Sequence, residues 1–221
     1  QAKNELRRMA NMAQENLDHA IHGFLNQSNE FVDKVYHREE DINNVSHAIT
    51  DYLVKSNQLS LPLADQKILG SMFYVVNDIE RIGDHAENFA DYTKTEIKHN
   101  TGLTGDAKEE IKKMYTAVSK LLKLSLECFM EQDGVNKPED KLAEIAILEA
   151  SIDKMERRYQ KHHIKRLAKG ECEPRAGLLF SDMLSELERI ADHSVNIAYS
   201  MSDEDEDEIL AAENEALTAK N

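Results

Sequence analysis

Apolar side chains recur every three to four residues along nearly the whole chain. Over about residues 3–27 they fall at Leu6, Met9, Ala13, Leu17, Ala20, Ile21 and Phe24. This spacing draws one stripe along one side of an α-helix. The pattern between breakers predicts five further helices, at about 30–56, 63–98, 106–132, 139–169 and 175–201. The connecting stretches read as turns. "SNQLSLPLAD" parts the second and third helices, and "DGVNKPED" and "AKGECEPRAG" part the last three. "NTGLTGD" is the clearest boundary, with two glycines and with Thr104 or Asp106 placed to cap the helix that follows. No stretch alternates strongly enough to predict a strand.

The six helices form two sets of three. "ELRRM" at 5–9 returns as "EIKKM" at 110–114, and Phe24 returns as Phe129. "EEDIN" at 39–43 returns as "EASID" at 149–153, and "NDIERIGDHAENFA" at 77–90 as "SELERIADHSVNIA" at 185–198. Offsets of 105, 110 and 108 residues describe a tandem duplication with small insertions in the loops. The expected fold is all-α: a six-helix tandem of two antiparallel three-helix bundles, one at 1–100 and one at 101–201. An acidic tail at 202–221 is expected to be disordered.

The fourteen-residue copies share seven identities, most of them polar. Residues four apart on a helix share a face, so Glu80 and Asp84 project together, as do Glu188 and Asp192. The stripe Ile79, Ile82, Ala86 and Phe89 faces the bundle instead. A lone helix of this kind is most often a solvated face. Asp78–Arg81–Asp84 and Glu186–Arg189–Asp192 would then be local ion pairs worth ~0.2–0.5 kcal/mol each. Two carboxylates at i,i+4 repel, however, and both copies keep the pair while apolar neighbours drift. A bound cation would offset that repulsion. Glu149 and Asp153 add a second ExxxD on the middle helix of the second set. The matching positions of the first set are Glu39 and Asn43, with Glu40 and Asp41 alongside. Antiparallel packing would bring carboxylates from two helices together. Such oxygen-rich sets suit hard or borderline divalent cations. His85 and His193 follow the Asp in each copy and are expected to support the site or cap a helix. Arg81, Asn88, Arg189 and Asn196 are further supporting candidates.

Composition narrows the alternatives. The formal charge is −15, of which the stretch from Asp203 to Asn221 holds −7. That balance argues against nucleic acid, whose phosphates need a basic surface. Cys128 and Cys172 have no CxxC spacing, so a reduced, cytosolic setting fits best. The longest run without a charged residue, "ILGSMFYVVN", is ten residues, far short of a membrane span. A paired Glu-x-x-His di-iron site would need two such motifs, and Glu96–His99 has no counterpart. No glycine-rich phosphate loop, HExxH or nucleophile motif occurs. "QKHHIKRLAK" at 160–169 is a basic patch that would meet a partner or an anionic headgroup, or simply end a helix in solvent. The chain opens on Gln1 rather than Met, the expectation for a fragment or a processed product.

The repeated "DIERIGDHAEN" and "ELERIADHSVN" resemble the signature of the PhoU family of phosphate-uptake regulators, and "LEASID" resembles its accessory motif. The resemblance runs over residues 3–201. "ELRRMANMAQENL" and "HHIKRLAKGECEPRAGLLFSDML" look most like the cytosolic C-terminal region of bacterial sodium/phosphate cotransporters. This resemblance implies a non-catalytic regulatory domain carrying divalent or multinuclear metal (Fe, Mn, Mg or Zn). Glu80, Asp84, Glu188, Asp192, Glu149, Asp153 and Glu39 would be its ligands, and Asn43 leaves the first cluster short of one. It also implies a transmembrane transporter domain attached in cis, at the cytoplasmic face of a membrane, with contacts to sensor-kinase or transporter components, and allows a homodimer. The alternative is a free-standing cytoplasmic adaptor that docks onto a sensor kinase or transporter ATPase.

Overall fold

The computed structural model describes residues 2–100, 102–132 and 138–201. The acidic tail lies outside the described residues. Six helices follow one another: α1 (Ala2–Asn26), α2 (Asn29–Asn57), α3 (Leu63–His99), α4 (Gly105–Glu131), α5 (Glu139–Ala168) and α6 (Pro174–Tyr199). Among the described residues there is no strand. Every boundary falls within two residues of the position expected from periodicity and breakers.

The ends are set by local chemistry. Thr104 caps α4, its hydroxyl accepting a hydrogen bond from the Ala107 amide at 3.3 Å. Asn100 closes α3 in the left-handed conformation at φ 48°, which Asn adopts more readily than most residues. Between α1 and α2 the chain reverses in two residues. Gln27 takes φ 51° and the Ser28 amide donates to the Gly23 carbonyl. Gly23 is needed there, because a Cβ would lie 2.9 Å from Phe31 Cβ.

Short connectors force antiparallel neighbours. Helices α1, α2 and α3 pack on one another, as do α4, α5 and α6. The periodic stripes meet inside: Phe24, Phe89, Phe129 and Phe180 are among the largest fully buried side chains. The stripe Ile79, Ile82, Ala86 and Phe89 is completely buried, as its spacing requires. One continuous apolar core runs through both sets.

Two helix pairs join the halves, α3 with α6 and α1 with α4. Their pairing is antiparallel and reciprocal. Gln14 and Ser119, equivalent positions of the two copies, hydrogen-bond each other at 3.3 Å. On one side of them Tyr115 reaches Asp18, and at the far end Lys3 donates to the Phe129 carbonyl at 3.0 Å. The duplicated units are therefore related by an approximate two-fold axis. None of the helices among the described residues is long and apolar enough to cross a membrane.

Candidate functional site

Helix α3 has three working sides. One is the apolar stripe. A second faces α2 and carries Glu80, Asp84 and Glu87 toward Glu39. A third faces α6.

Glu39 is the centre of the first acidic face. It is 4% exposed, and neither carboxylate oxygen has a hydrogen-bond partner. It lies directly over Gly83, where a Cβ would stand only 2.5 Å from its Oε2. Burial, and then the charges of Asp84, Glu87 and Glu80, push its carboxyl up to about 8. Asn43, one turn along α2, also holds a buried Oδ1 without a partner. A cavity of about 490 Å³ opens beside them, lined by Tyr36, Glu39, Glu40, Asn43, Glu87 and Lys94.

The second acidic face is more open. Burial and the charges of Asp192, Glu156 and Asp153 push Glu188 up to about 7. Burial, and then Asp153, raise Asp192 as well. Asp153 also meets Arg157 at 3.4 Å in an exposed pair. Glu149 lies partly buried on α5, one turn before Asp153. Glu156 is a member of this face that motif spacing does not reveal, because it belongs to no ExxxD. Ala191 holds the position of Gly83.

The donor chemistry of these faces fits a hard divalent cation. Glu39 supplies unpartnered buried oxygens, and the space above Gly83 is kept free for its carboxylate. Among the described residues, however, no three His, Cys, Asp or Glu side chains stand together as a finished ligand cage. A cation would have to draw the carboxylates in.

The residues expected to support the site meet across the two units. His85 Nδ1 donates to Glu186 Oε2 at 2.5 Å, and Asn88 and Tyr92 both donate to the same carboxylate at 3.1 Å. Reciprocally, His193 Nδ1 donates to Asp78 Oδ1 at 2.9 Å, with Asn196 at 3.4 Å. The two imidazoles stack obliquely, their centroids 5.5 Å apart. His85, Asn88, His193 and Asn196 thus join α3 to α6 across the two units. Asp78 and Glu186, read as members of local ion pairs, are the acceptors of this lock. Only Arg81–Asp84, at 3.3 Å, forms as the local pattern suggests, and it is exposed. Arg189 is exposed beside Glu188 and Tyr92 and acts on both through its charge. Burial would raise Glu186, but the bonds from His85, Asn88 and Tyr92 outweigh it and hold the carboxyl below its usual range.

Glu96, of the unpaired Glu-x-x-His, is buried and accepts the Leu103 amide at 3.3 Å, a structural role at the linker. The basic stretch at 160–169 is not simply solvated. Arg166 is buried against Glu110 at 2.8 Å, His162 donates to the same carboxylate at 2.6 Å, and His163 packs on Phe180.

Fold and site together define a duplicated six-helix protein with an acidic face in each half and a reciprocal polar seam between them. The PhoU domain matches residues 6–93 and 111–201, one match per unit, and the chain belongs to that family. It is 22% identical over 196 residues to "Phosphate-specific transport system accessory protein PhoU homolog 1" of Thermotoga maritima, covering 88% of this chain and 82% of the relative. It is 27% identical over 175 residues to "Phosphate-specific transport system accessory protein PhoU homolog" of Synechocystis sp., covering 76% and 72%. The crystal structure of PhoU from Pseudomonas aeruginosa shares the fold, with TM-score 0.80 at 21% identity over 90% of this chain and 93% of that one. The phosphate transport system regulatory protein PhoU from Streptococcus pneumoniae does so with TM-score 0.78 at 20% identity, over 90% and 91%.

Proposed function

We propose that this chain is a non-catalytic regulator of phosphate uptake whose acidic faces bind divalent or multinuclear metal. The metal half rests on Glu39, a buried carboxylate with unpartnered oxygens, set among three more carboxylates. Glu39, Glu80 and Asp84 would hold the cation on the first face; Glu149, Asp153, Glu188 and Asp192 would hold it on the second. When bound, Fe, Mn, Mg or Zn would neutralise charge that otherwise repels, and so tie α2 to α3 and α5 to α6. The test is elemental analysis of protein purified without chelator, beside Glu80→Gln/Asp84→Asn and Glu188→Gln/Asp192→Asn variants. Metal should be present and fall with each pair. Its absence from the parent, with no uptake on soaking, would refute this half.

The regulatory half is supported by relatives named as phosphate-specific transport accessory proteins, matched over most of their length. On this reading the chain acts as an adaptor, docking onto transporter components or a sensor kinase. A second reading makes it the C-terminal region of a sodium/phosphate cotransporter with the membrane domain in cis. The stretches "ELRRMANMAQENL" and "HHIKRLAKGECEPRAGLLFSDML" favour that version. Immunoblotting of fractionated cells separates them. A band near 25.2 kDa outside the membrane fraction supports the adaptor, and a much larger membrane band supports the cotransporter.

A further inference from the structure

We propose that Glu87 is a cation ligand of the first face, replacing the carboxylate that is absent at Asn43. The assignment rests on the reading of the acidic faces as cation sites.

Aligning the units exposes a compensating exchange. On α2 the first unit has Glu39 and Asn43, where α5 of the second has Glu149 and Asp153. On α3 it has Glu80, Asp84 and Glu87, where α6 has Glu188, Asp192 and Val195. Four of these five positions are carboxylates in either unit, but on different helices; the second face also holds Glu156, where the first has Ser46. Asn43 stands where the second unit has Asp153, and Glu87 where it has Val195. Without Glu87 the first face would keep three carboxylates, Glu39, Glu80 and Asp84, and a hard divalent ion's affinity rises with the number of charged oxygen ligands.

Geometry supports the exchange. Glu87 follows Gly83 by one turn of α3, so Glu80, Asp84 and Glu87 line the side of α3 beneath the buried Glu39 carboxylate. All three act on it electrostatically. Glu39, Asn43 and Glu87 line the same cavity of about 490 Å³. Both Glu39 oxygens and Asn43 Oδ1 are buried there without partners. Lys94, a cation lining this cavity whose charge also reaches Glu87, sits over the Tyr36 ring at 4.1 Å, and Tyr36 donates to Asp91. An amide oxygen at position 43 remains a competent neutral ligand, with Glu87 restoring the charge.

The test uses the full chain with its second face silenced by Glu188→Gln and Asp192→Asn. Mn²⁺ binding is followed by equilibrium dialysis, with circular dichroism to check folding. In this background Glu87→Gln should weaken binding by about tenfold or more. Adding Asn43→Asp to Glu87→Gln should bring affinity back to within about threefold of the parent. Should Glu87→Gln bind as the parent does, or the added Asn43→Asp restore nothing, the assignment is overturned while the cation face stands. If the parent itself takes up no Mn²⁺, the cation reading of this face falls and the assignment with it.

Discussion

A methyl group at position 83 would meet the Glu39 carboxylate at 2.5 Å. The obstacle is the free end of a flexible side chain, so Gly83→Ala should fold. The gain in helix propensity, up to ~1 kcal/mol, works against the cost of moving Glu39. Stability should change by less than about 1 kcal/mol in urea denaturation, while first-face Mn²⁺ affinity drops; unchanged affinity would show that the cradle is irrelevant. Glu39 also sets a pH dependence. Its carboxyl is raised from 4.5 to about 8 in the folded chain. Across that window the folded state holds a proton that the unfolded state has lost, so stability falls as pH rises and levels off above it. Glu188, raised to about 7, acts with the same sign. In chelator, the urea midpoint should therefore decline from about pH 5 to about pH 9, and Glu39→Gln should remove much of the slope and stabilise the alkaline end by roughly 2–4 kcal/mol. A flat profile in the parent would contradict this. Glu39 is readable in the sequence because it repeats as Glu149. Glu87 is not, because its counterpart is Val195 and its partners lie on another helix.

Helices were the most readable level, since a 3.6-residue stripe interrupted by Gly, Pro and Asn leaves little choice of ends. Thr104 illustrates this: its side chain satisfies an amide that the first turn of α4 would otherwise leave bare. Thr104→Ala should cost about 1 kcal/mol in chemical denaturation, and no loss would mean water replaces the cap fully. Which face of a helix meets which neighbour was less readable. Asp78 has Arg81 three residues away, a local partner as good on paper as any, yet packing gives it His193 and Asn196. The stretch at 160–169 misleads in the same way. A run of cations near a helix end looks solvated until Glu110, on α4, buries Arg166 beside Phe180.

At the scale of the molecule the seam between α3 and α6 decides how the halves act together. Its two ends are unequal. Glu186 takes three hydrogen bonds, one from a nearly buried His85, whereas Asp78 takes two, from more exposed donors. Position 92 explains the difference, being Tyr in the first copy and Ser200 in the second. Glu186→Ala strips three donors, including a buried imidazole, and should cost roughly 2–4 kcal/mol. Asp78→Ala should cost about 1 kcal/mol. Urea titrations of both variants check the order, and equal losses would deny the asymmetry. With one core running through both units, the parent should unfold in a single transition.

The seam also bears on how such a chain arose. Residue 85 of one unit grips the counterpart of residue 78 in the other, and the grip is returned. That is the form of an isologous contact, the kind two identical subunits make across a two-fold axis. A single gene encoding one three-helix unit would have met the same requirement by pairing with its twin, its histidine and acid each finding a mate on the other molecule. Joining such twins end to end would free each copy to specialise. The buried glutamate above a glycine in one half and the open acidic face in the other are what that freedom permits.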